Sequence, residues 1–315
     1  MKVLSFIKLT DEQQEEIRAL ADDISLKVVS PEDATKDDLT EVDAIYGWSN
    51  RLESHAVANG YLKWIQTIRA GVDALPLDDI RDENILLTSG SGANAINIAE
   101  QTLAYMLMFS RKLHLAMRDQ DQNLWKLDEP YGEIYHKSVL FVGAGTIATV
   151  LAGYCKALGM HTIGIRRTAK KTENVDEMKS MDQLKTAVGL ADFVVNILPD
   201  TKATVNTFDA SVFEAMKSDA VYINIGRGKS TNTENLITAL KNKVIGGAAL
   251  DVVEPEPLPA DSELWGMKNV IITPHTAGRS THYAERAFKI FKENLKSFHD
   301  TGKVEINVVD LHQGY

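Results

Sequence analysis

Short apolar runs separated by amphipathic segments fill the first third of the chain. Residues 3–6, 26–29, 44–46, 64–68 and 85–87 are each rich in large aliphatic or aromatic side chains and read as buried strands. Thr10 opens a Thr-x-x-Gln capping box completed by Gln13, which predicts a helix from there to about Ala21. Strands alternating with helices predict a parallel sheet.

Residues 93–117 are apolar at helical spacing (Ile96, Ile98, Leu103, Tyr105, Met106, Leu107, Phe109) and contain no proline. They predict one helix long enough to bridge two domains, and an irregular polar stretch follows over 119–135. A second β/α series then begins, with strands expected at 139–142, 162–165, 193–197, 221–225, 247–252 and 270–272. Six strands alternating with helices match a full dinucleotide-binding fold. The last helix, about 281–298, and the tail through Val308 fall after this series and are expected to return to the first domain. The expected division is 1–95 with 288–315 for one domain and 96–287 for the other.

The chain's 315 residues and 44% hydrophobic content fit two globular domains. A net charge of −10 argues against a nucleic-acid partner, because that binding needs clustered Lys and Arg. No apolar run approaches the roughly 20 residues of a membrane helix, and the start of the chain does not read as a leader, so a soluble, cytoplasmic protein is expected. The single cysteine, Cys155, cannot form an internal disulfide and suits a reducing compartment. Next to Leu151 and Tyr154, it reads as a packing residue. No metal site is expected.

The candidate chemistry begins at Val139-Leu-Phe-Val-Gly143-Ala-Gly145-Thr146-Ile147-Ala148, an apolar strand running into a Gly-x-Gly-x-x-Ala turn that opens a helix. Gly143 suits the tight turn, Gly145 lets the backbone approach a pyrophosphate, and Ala148 permits close packing of helix and strand. The phosphates would meet the positive end of the helix. At the end of the next strand, where NAD-binding versions carry an acid for the ribose hydroxyls, this chain has Arg166, followed by Arg167 and Thr168. Guanidinium groups there would grip a 2′-phosphate, so NADP(H) is expected in preference to NAD(H), with use of NAD(H) left open.

Three further segments fall at or just beyond predicted strand ends, where open α/β sheets bind ligands: Asn224-Ile225-Gly226-Arg227-Gly228, Asp251-Val-Val-Glu-Pro-Glu256-Pro257 and Thr273-Pro-His275-Thr-Ala-Gly278. Arg227 can hold a carboxylate in its planar fork and polarise an adjacent carbonyl. His275 is the natural general acid and base near neutrality. A carboxylate paired with His275 would favour its charged, proton-donating form; Glu256 and Glu254 both compete for that role.

Together these segments resemble the D-isomer-specific 2-hydroxyacid dehydrogenase family, including NADP-dependent glyoxylate/hydroxypyruvate reductase-like members, over nearly the whole chain. The resemblance implies an α/β protein with a Rossmann dinucleotide-binding domain, a flavodoxin-like substrate domain and an active site in the cleft between them. Carried over by position, Arg227, Glu256 and His275 are the catalytic residues, which selects Glu256 over Glu254. Asp251 corresponds to the aspartate that binds the nicotinamide carboxamide. Leu198, Pro199 and Thr204 correspond to a cofactor-lining segment, with Ile225, Gly226 and Gly278 beside it. Arg69-Ala70-Gly71-Val72-Asp73 resembles the substrate loop, whose N–H groups at Ala70 and Gly71 would help hold the substrate carboxylate. Read from the residues alone, it is equally a strand-ending turn with Gly71 at a special backbone angle.

The resemblance also implies a homodimer, with the long apolar helix and the Trp125 loop as interface candidates. The expected reaction reduces a small 2-oxo acid to its D-2-hydroxy acid, glyoxylate and hydroxypyruvate first. Trp48, just beyond a strand end, reads either as a pocket wall or as core. The alternative is a regulatory or partner-binding protein of the same fold that binds dinucleotide without significant turnover.

Overall fold

The computed structural model describes residues 1–127 and 130–314. Asp128 and Glu129, inside the stretch expected to be irregular, lie outside the described residues, as does Tyr315 at the end of the expected substrate domain. The chain divides into two compact units, Met1–Ala93 with Thr281–Tyr315, and Asn94–Ser280.

The first unit is built on β1 (Lys2–Ser5), β2 (Ser25–Val28), β3 (Ala44–Tyr46), β4 (Trp64–Gln66) and β5 (Leu86–Thr88). They form one sheet in the order β2-β1-β3-β4-β5, with every pairing parallel, the flavodoxin-like order. Thr10 caps α1 (Asp11–Arg18) through the reciprocal bonds its sequence predicts, although the helix ends earlier than expected. The C-terminal helix, Tyr283–Thr301, lays Phe288, Phe291, Leu295 and Phe298 against Tyr46 and Trp64 on one face of the sheet. Tyr46 stacks on Phe291 at 4.1 Å between ring centroids. Each large apolar side chain buried this way contributes roughly 1.5–3 kcal/mol. The tail then returns to the sheet edge, where the Val309 N–H donates to the Leu87 carbonyl at 2.9 Å.

The second unit carries β6 (Ser138–Val142), β7 (His161–Arg166), β8 (Glu177–Ser180), β9 (Phe193–Asn196), β10 (Val221–Asn224), β11 (Gly247–Leu250) and β12 (Val270–Ile272). The seven-stranded sheet runs β12-β11-β10-β9-β6-β7-β8. The chain reverses direction across the sheet between β6 and β9, which is the switch point where such sheets bind ligands. β8 is absent from the sequence reading. It is an edge strand, partly exposed and polar apart from Met178, so no apolar run announces it.

The predicted single helix over 93–117 is broken into Ala95–Ser110 and Leu113–Gln120, with Lys112 left-handed at φ 55° between them. Groups from outside the helix take over its last carbonyls. The His114 ring bonds the Met108 carbonyl at 3.0 Å, and the Gly132 N–H reaches that of Ser110 at 2.8 Å. Neither contact can be read from local periodicity. Among the described residues, no helix is long and apolar enough to cross a membrane, and no cluster of His, Cys, Asp or Glu could hold a metal ion.

Candidate active site

In the second unit, every segment singled out from the sequence falls at the C-terminal end of a strand. Read across the sheet, β12 is followed by His275, β11 by Asp251 and Glu256, β10 by Arg227, β9 by Leu198, and β6 by Gly143, while β7 ends on Arg166.

At the switch point the loops meet backbone to backbone. Gly143 has φ +99°, and a Cβ on it would come within 2.9 Å of the Ile197 carbonyl oxygen. A Cβ on Gly226 would sit 2.7 Å from the Leu198 oxygen, and one on Gly228 1.8 Å from the Val253 oxygen, so these glycines permit the close approach. Gly145 differs: it caps α6 (Thr146–Ala157) in extended conformation, and nothing lies within 4 Å of the Cβ position. The N–H groups of Thr146 and Ile147 make no hydrogen bond among the described residues. Open space facing unpartnered helix N–H groups fits a pyrophosphate. Arg166, Arg167 and Thr168 are exposed at the end of β7.

Two buried asparagines shape the loops after β9 and β10. The Asn196 amide donates to the Tyr222 hydroxyl at 2.8 Å and the Ser230 hydroxyl at 2.7 Å, while its oxygen accepts from the Leu198 N–H at 3.1 Å. Asn224 does the same one strand over, donating to the Arg227 carbonyl at 3.2 Å and accepting from the Gly226 N–H at 3.1 Å. These bonds fix the backbone that presents Arg227. Thr204 directs its hydroxyl to the Pro199 carbonyl at 2.6 Å, within its own loop.

Asp251 is 3% exposed, and its carboxylate organises the turn after His275. Oδ1 accepts from the Thr276 N–H at 2.9 Å and the Thr273 hydroxyl at 2.5 Å, and Oδ2 accepts from the Ala277 N–H at 3.0 Å. Gln101, on the helix Ala95–Ser110, reaches the same Oδ1 at 3.2 Å, and the Tyr105 hydroxyl bonds Thr273 at 2.6 Å. Asn97 holds the Ala277 carbonyl at 2.6 Å. The sequence reading gives no site role to Asn97, Gln101 or Asn196, and takes Tyr105 only as an apolar helix position. Their signal was polar positions inside otherwise apolar elements, which on sequence alone is indistinguishable from solvent exposure.

His275 has φ 51°, held by its N–H donating to the Asp251 carbonyl at 2.8 Å. Its Nδ1 lies 2.8 Å from Glu256 Oε2. Glu254 instead bonds through its carbonyl, to the Thr233 hydroxyl at 2.7 Å. Cys155 is buried in α6, and burial pushes its thiol up to about 12.

In the first unit, the Arg69 carbonyl accepts from the Gly90 N–H at 2.9 Å and the Thr67 hydroxyl at 2.6 Å, which pins the turn after β4. The N–H groups of Ala70, Gly71 and Val72 donate to nothing among the described residues. Gly71 is not one of the left-handed glycines, so the reading of this turn as a demand for a special backbone angle does not hold.

A doubly wound parallel sheet with a glycine turn at its switch point and polar side chains at successive strand ends is the arrangement of a dinucleotide-dependent dehydrogenase. Residues 103–277 match the NAD-binding domain of the D-isomer specific 2-hydroxyacid dehydrogenases. The chain belongs to that family. It is 32% identical to the glyoxylate/hydroxypyruvate reductase B of Salmonella newport over 79% of this chain and 78% of that one. It is 32% identical to a probable 2-ketogluconate reductase of Dictyostelium discoideum, over 70% of this chain and 67% of that one. Among solved structures, the NADPH-dependent glyoxylate/hydroxypyruvate reductase of Sinorhizobium meliloti, in complex with NADP and sulfate, superposes with a TM-score of 0.82 at 27% identity. That similarity covers 100% of this chain and 99% of the other.

Proposed function

We propose that this protein reduces small 2-oxo acids to D-2-hydroxy acids with NADPH as preferred reductant, glyoxylate and hydroxypyruvate being the first candidates. The observation that carries the reading is the His275–Glu256 pair at 2.8 Å, beyond β12 and β11, the second of which lies next to β10, the strand that presents Arg227. The names of the reductase relatives support the same substrate class.

A bound nicotinamide dinucleotide supplies the hydride to the carbonyl carbon. With Nδ1 engaged by Glu256, His275 uses Nε2 to deliver the proton that the carbonyl oxygen requires, so one hydride and one proton complete the hydroxy acid. Glu256 orients the ring and stabilises its charged form, while Arg227 holds the carboxylate and polarises the carbonyl. The N–H groups of Ala70 and Gly71 add donors for that carboxylate. Gly143, Gly145, Thr146 and Ile147 receive the pyrophosphate, and Arg166, Arg167 and Thr168 the 2′-phosphate. Asp251 would bind the carboxamide, and Leu198, Pro199, Thr204, Ile225, Gly226 and Gly278 would line the nucleotide.

The same reading includes a homodimer. Trp125 and Leu127 are 96% and 84% exposed on the second unit, a pair of large apolar side chains that suits burial against a second copy.

The test is steady-state reduction of glyoxylate, hydroxypyruvate, pyruvate and phenylpyruvate with NADPH and NADH in parallel. Turnover with NADPH favoured is the expected result. Dinucleotide binding without turnover of any acid would instead identify a regulatory protein of the same fold.

A further inference from the structure

One buried carboxylate of the second unit is surrounded by neutral groups. Asp251, the first residue after β11, is 3% exposed. Its Oδ1 accepts from the N–H groups of Thr276 at 2.9 Å and Ala277 at 3.2 Å, from the Thr273 hydroxyl at 2.5 Å and from the Gln101 amide at 3.2 Å. Oδ2 accepts from the Ala277 N–H at 3.0 Å. Every partner is a donor, the set an ionised carboxylate accepts from, and none carries a charge. Glu256 has the His275 ring beside it at 2.8 Å, whereas Asp251 forms no ion pair among the described residues.

The groups behind Asp251 are ordered in one direction. Gln101 and Tyr105 lie one turn apart on the helix Ala95–Ser110. A carboxylate only accepts, so Thr273 gives its hydrogen to Asp251 and takes one from the Tyr105 hydroxyl at 2.6 Å. Tyr105 in turn accepts from the Gln101 amide. Burial, and to a smaller extent the Asp251 charge, push the Tyr105 hydroxyl above its ordinary value, so it keeps its proton. Neutral donors fix the position of a buried carboxylate but cancel none of its net charge, and away from water that charge is weakly screened. Gln101 is the helix position from which a cation would reach Oδ1, and the chain has an amide there.

We infer that Asp251 and its neutral shell select the oxidation state of the bound dinucleotide: the uncompensated carboxylate stabilises the cationic nicotinamide ring of the oxidised form over the neutral ring of the reduced form, and Gln101 is the residue that keeps the charge uncompensated. This deepens the proposed function and rests on its assignment of the carboxamide to Asp251. Transfer of one hydride to the carbonyl carbon leaves the ring with one positive charge, so a fixed negative charge beside it favours reduction of the acid.

Calorimetric titration of NADP+, NADPH and 2′-phospho-ADP-ribose, which lacks the nicotinamide, reads this selection without turnover. Gln101→Lys leaves the carboxylate in place and sets an ammonium against it, so the Kd of NADP+ relative to that of NADPH is expected to rise about three- to tenfold. Asp251→Asn, which removes the charge itself, should raise the same ratio about tenfold or more. Gln101→Met removes the bond without adding charge, and should hold the ratio within about twofold of wild type even if both affinities fall. Affinity for 2′-phospho-ADP-ribose should change little in any of the three. A ratio unmoved by Gln101→Lys would overturn the inference. So would a ratio that Gln101→Met moves as far as Gln101→Lys, which would assign the effect to lost geometry, or a change on 2′-phospho-ADP-ribose as large as that on NADP+, which would put the charge effect away from the nicotinamide. Ratios that move as expected in a protein that turns over no acid would sink the proposed reaction and keep this inference. Normal turnover beside an unmoved ratio would sink the inference alone.

Discussion

His275 Nδ1 lies 2.8 Å from Glu256 Oε2, although the two side chains are 51% and 39% exposed. Exposed pairs are seldom strong enough to lock a geometry by themselves. Here both residues are held independently: the His275 backbone N–H by the Asp251 carbonyl at 2.8 Å, and the Glu256 side chain by a 3.3 Å bond from the Val253 N–H to its Oε1. The imidazole is thereby aimed by the fold.

His275→Ala is expected to lower turnover about a hundredfold or more, as for loss of a general acid, with dinucleotide affinity near normal. Glu256→Gln should lower kcat by about tenfold while KM for the 2-oxo acid stays within a few-fold. Steady-state kinetics with fluorescence titration of the dinucleotide separates these effects. A KM that rises as far as kcat falls would make Glu256 a binding residue instead.

The two glycines of the nucleotide turn should respond in opposite ways. Gly143→Ala places a Cβ in a left-handed backbone, 2.9 Å from a carbonyl oxygen, and is expected to cost about 1–3 kcal/mol of stability. The Cβ that Gly145→Val adds meets no protein atom within 4 Å, so Tm should hold while dinucleotide affinity falls about tenfold or more, as the side chain takes the pyrophosphate's space. Thermal melts paired with dinucleotide titrations test both; a Gly145→Val protein that binds normally would remove the phosphates from this turn.

This difference between neighbouring glycines shows what a sequence can carry. The turn was legible because an apolar strand, two glycines and a helix start occur in order, yet only three-dimensional packing separates a glycine needed for backbone strain from one kept open for a ligand. The strands were legible wherever both faces are buried, as in the segment containing Phe193, Val194 and Val195. β8 was not, because an edge strand can be polar. The break at Lys112 was hidden because the groups that end the helix, His114 and Gly132, act through tertiary contacts. Arg227, Glu256 and His275 stood out as reactive residue types beside strand ends. Gln101 and Tyr105, which brace Asp251 and Thr273, did not, since their partners lie far away in sequence.

Arg166 and Arg167 stand exposed at the end of β7. Replacing both with serine is expected to reduce the NADPH-to-NADH ratio of kcat/KM about ten- to a hundredfold, chiefly by weakening NADPH, because NADPH alone carries the 2′-phosphate that their charge would grip. Parallel kinetics with the two cofactors gives the ratio directly. Equal losses for NADPH and NADH would show that the arginines do not read the phosphate.

Asp176 joins edge strand β8 to the rest of the second unit's sheet, and its charge should make that junction sensitive to acid. Oδ2 accepts from the Thr162 N–H at 3.0 Å and its hydroxyl at 2.8 Å, and Oδ1 pairs with Lys156 at 2.8 Å. Burial opposes the charge, but Lys156 and the Thr162 donors outweigh it and hold the carboxyl at about 2. A folded value below the unfolded one means that the stabilisation is complete above the ordinary carboxylate range, near pH 4, shrinks as pH falls, and is gone below about 2. Asp176→Asn should therefore destabilise the protein at pH 7 by about 1–2 kcal/mol, after allowance for partial solvent screening. The gap from wild type should narrow steadily between pH 4 and pH 2.5. Urea midpoints of both proteins across that range test the sign as well as the size, because every other carboxylate titrates in both and cancels in the difference. A gap as wide at pH 2.5 as at pH 7 would mean that Asp176 contributes hydrogen-bond geometry rather than charge.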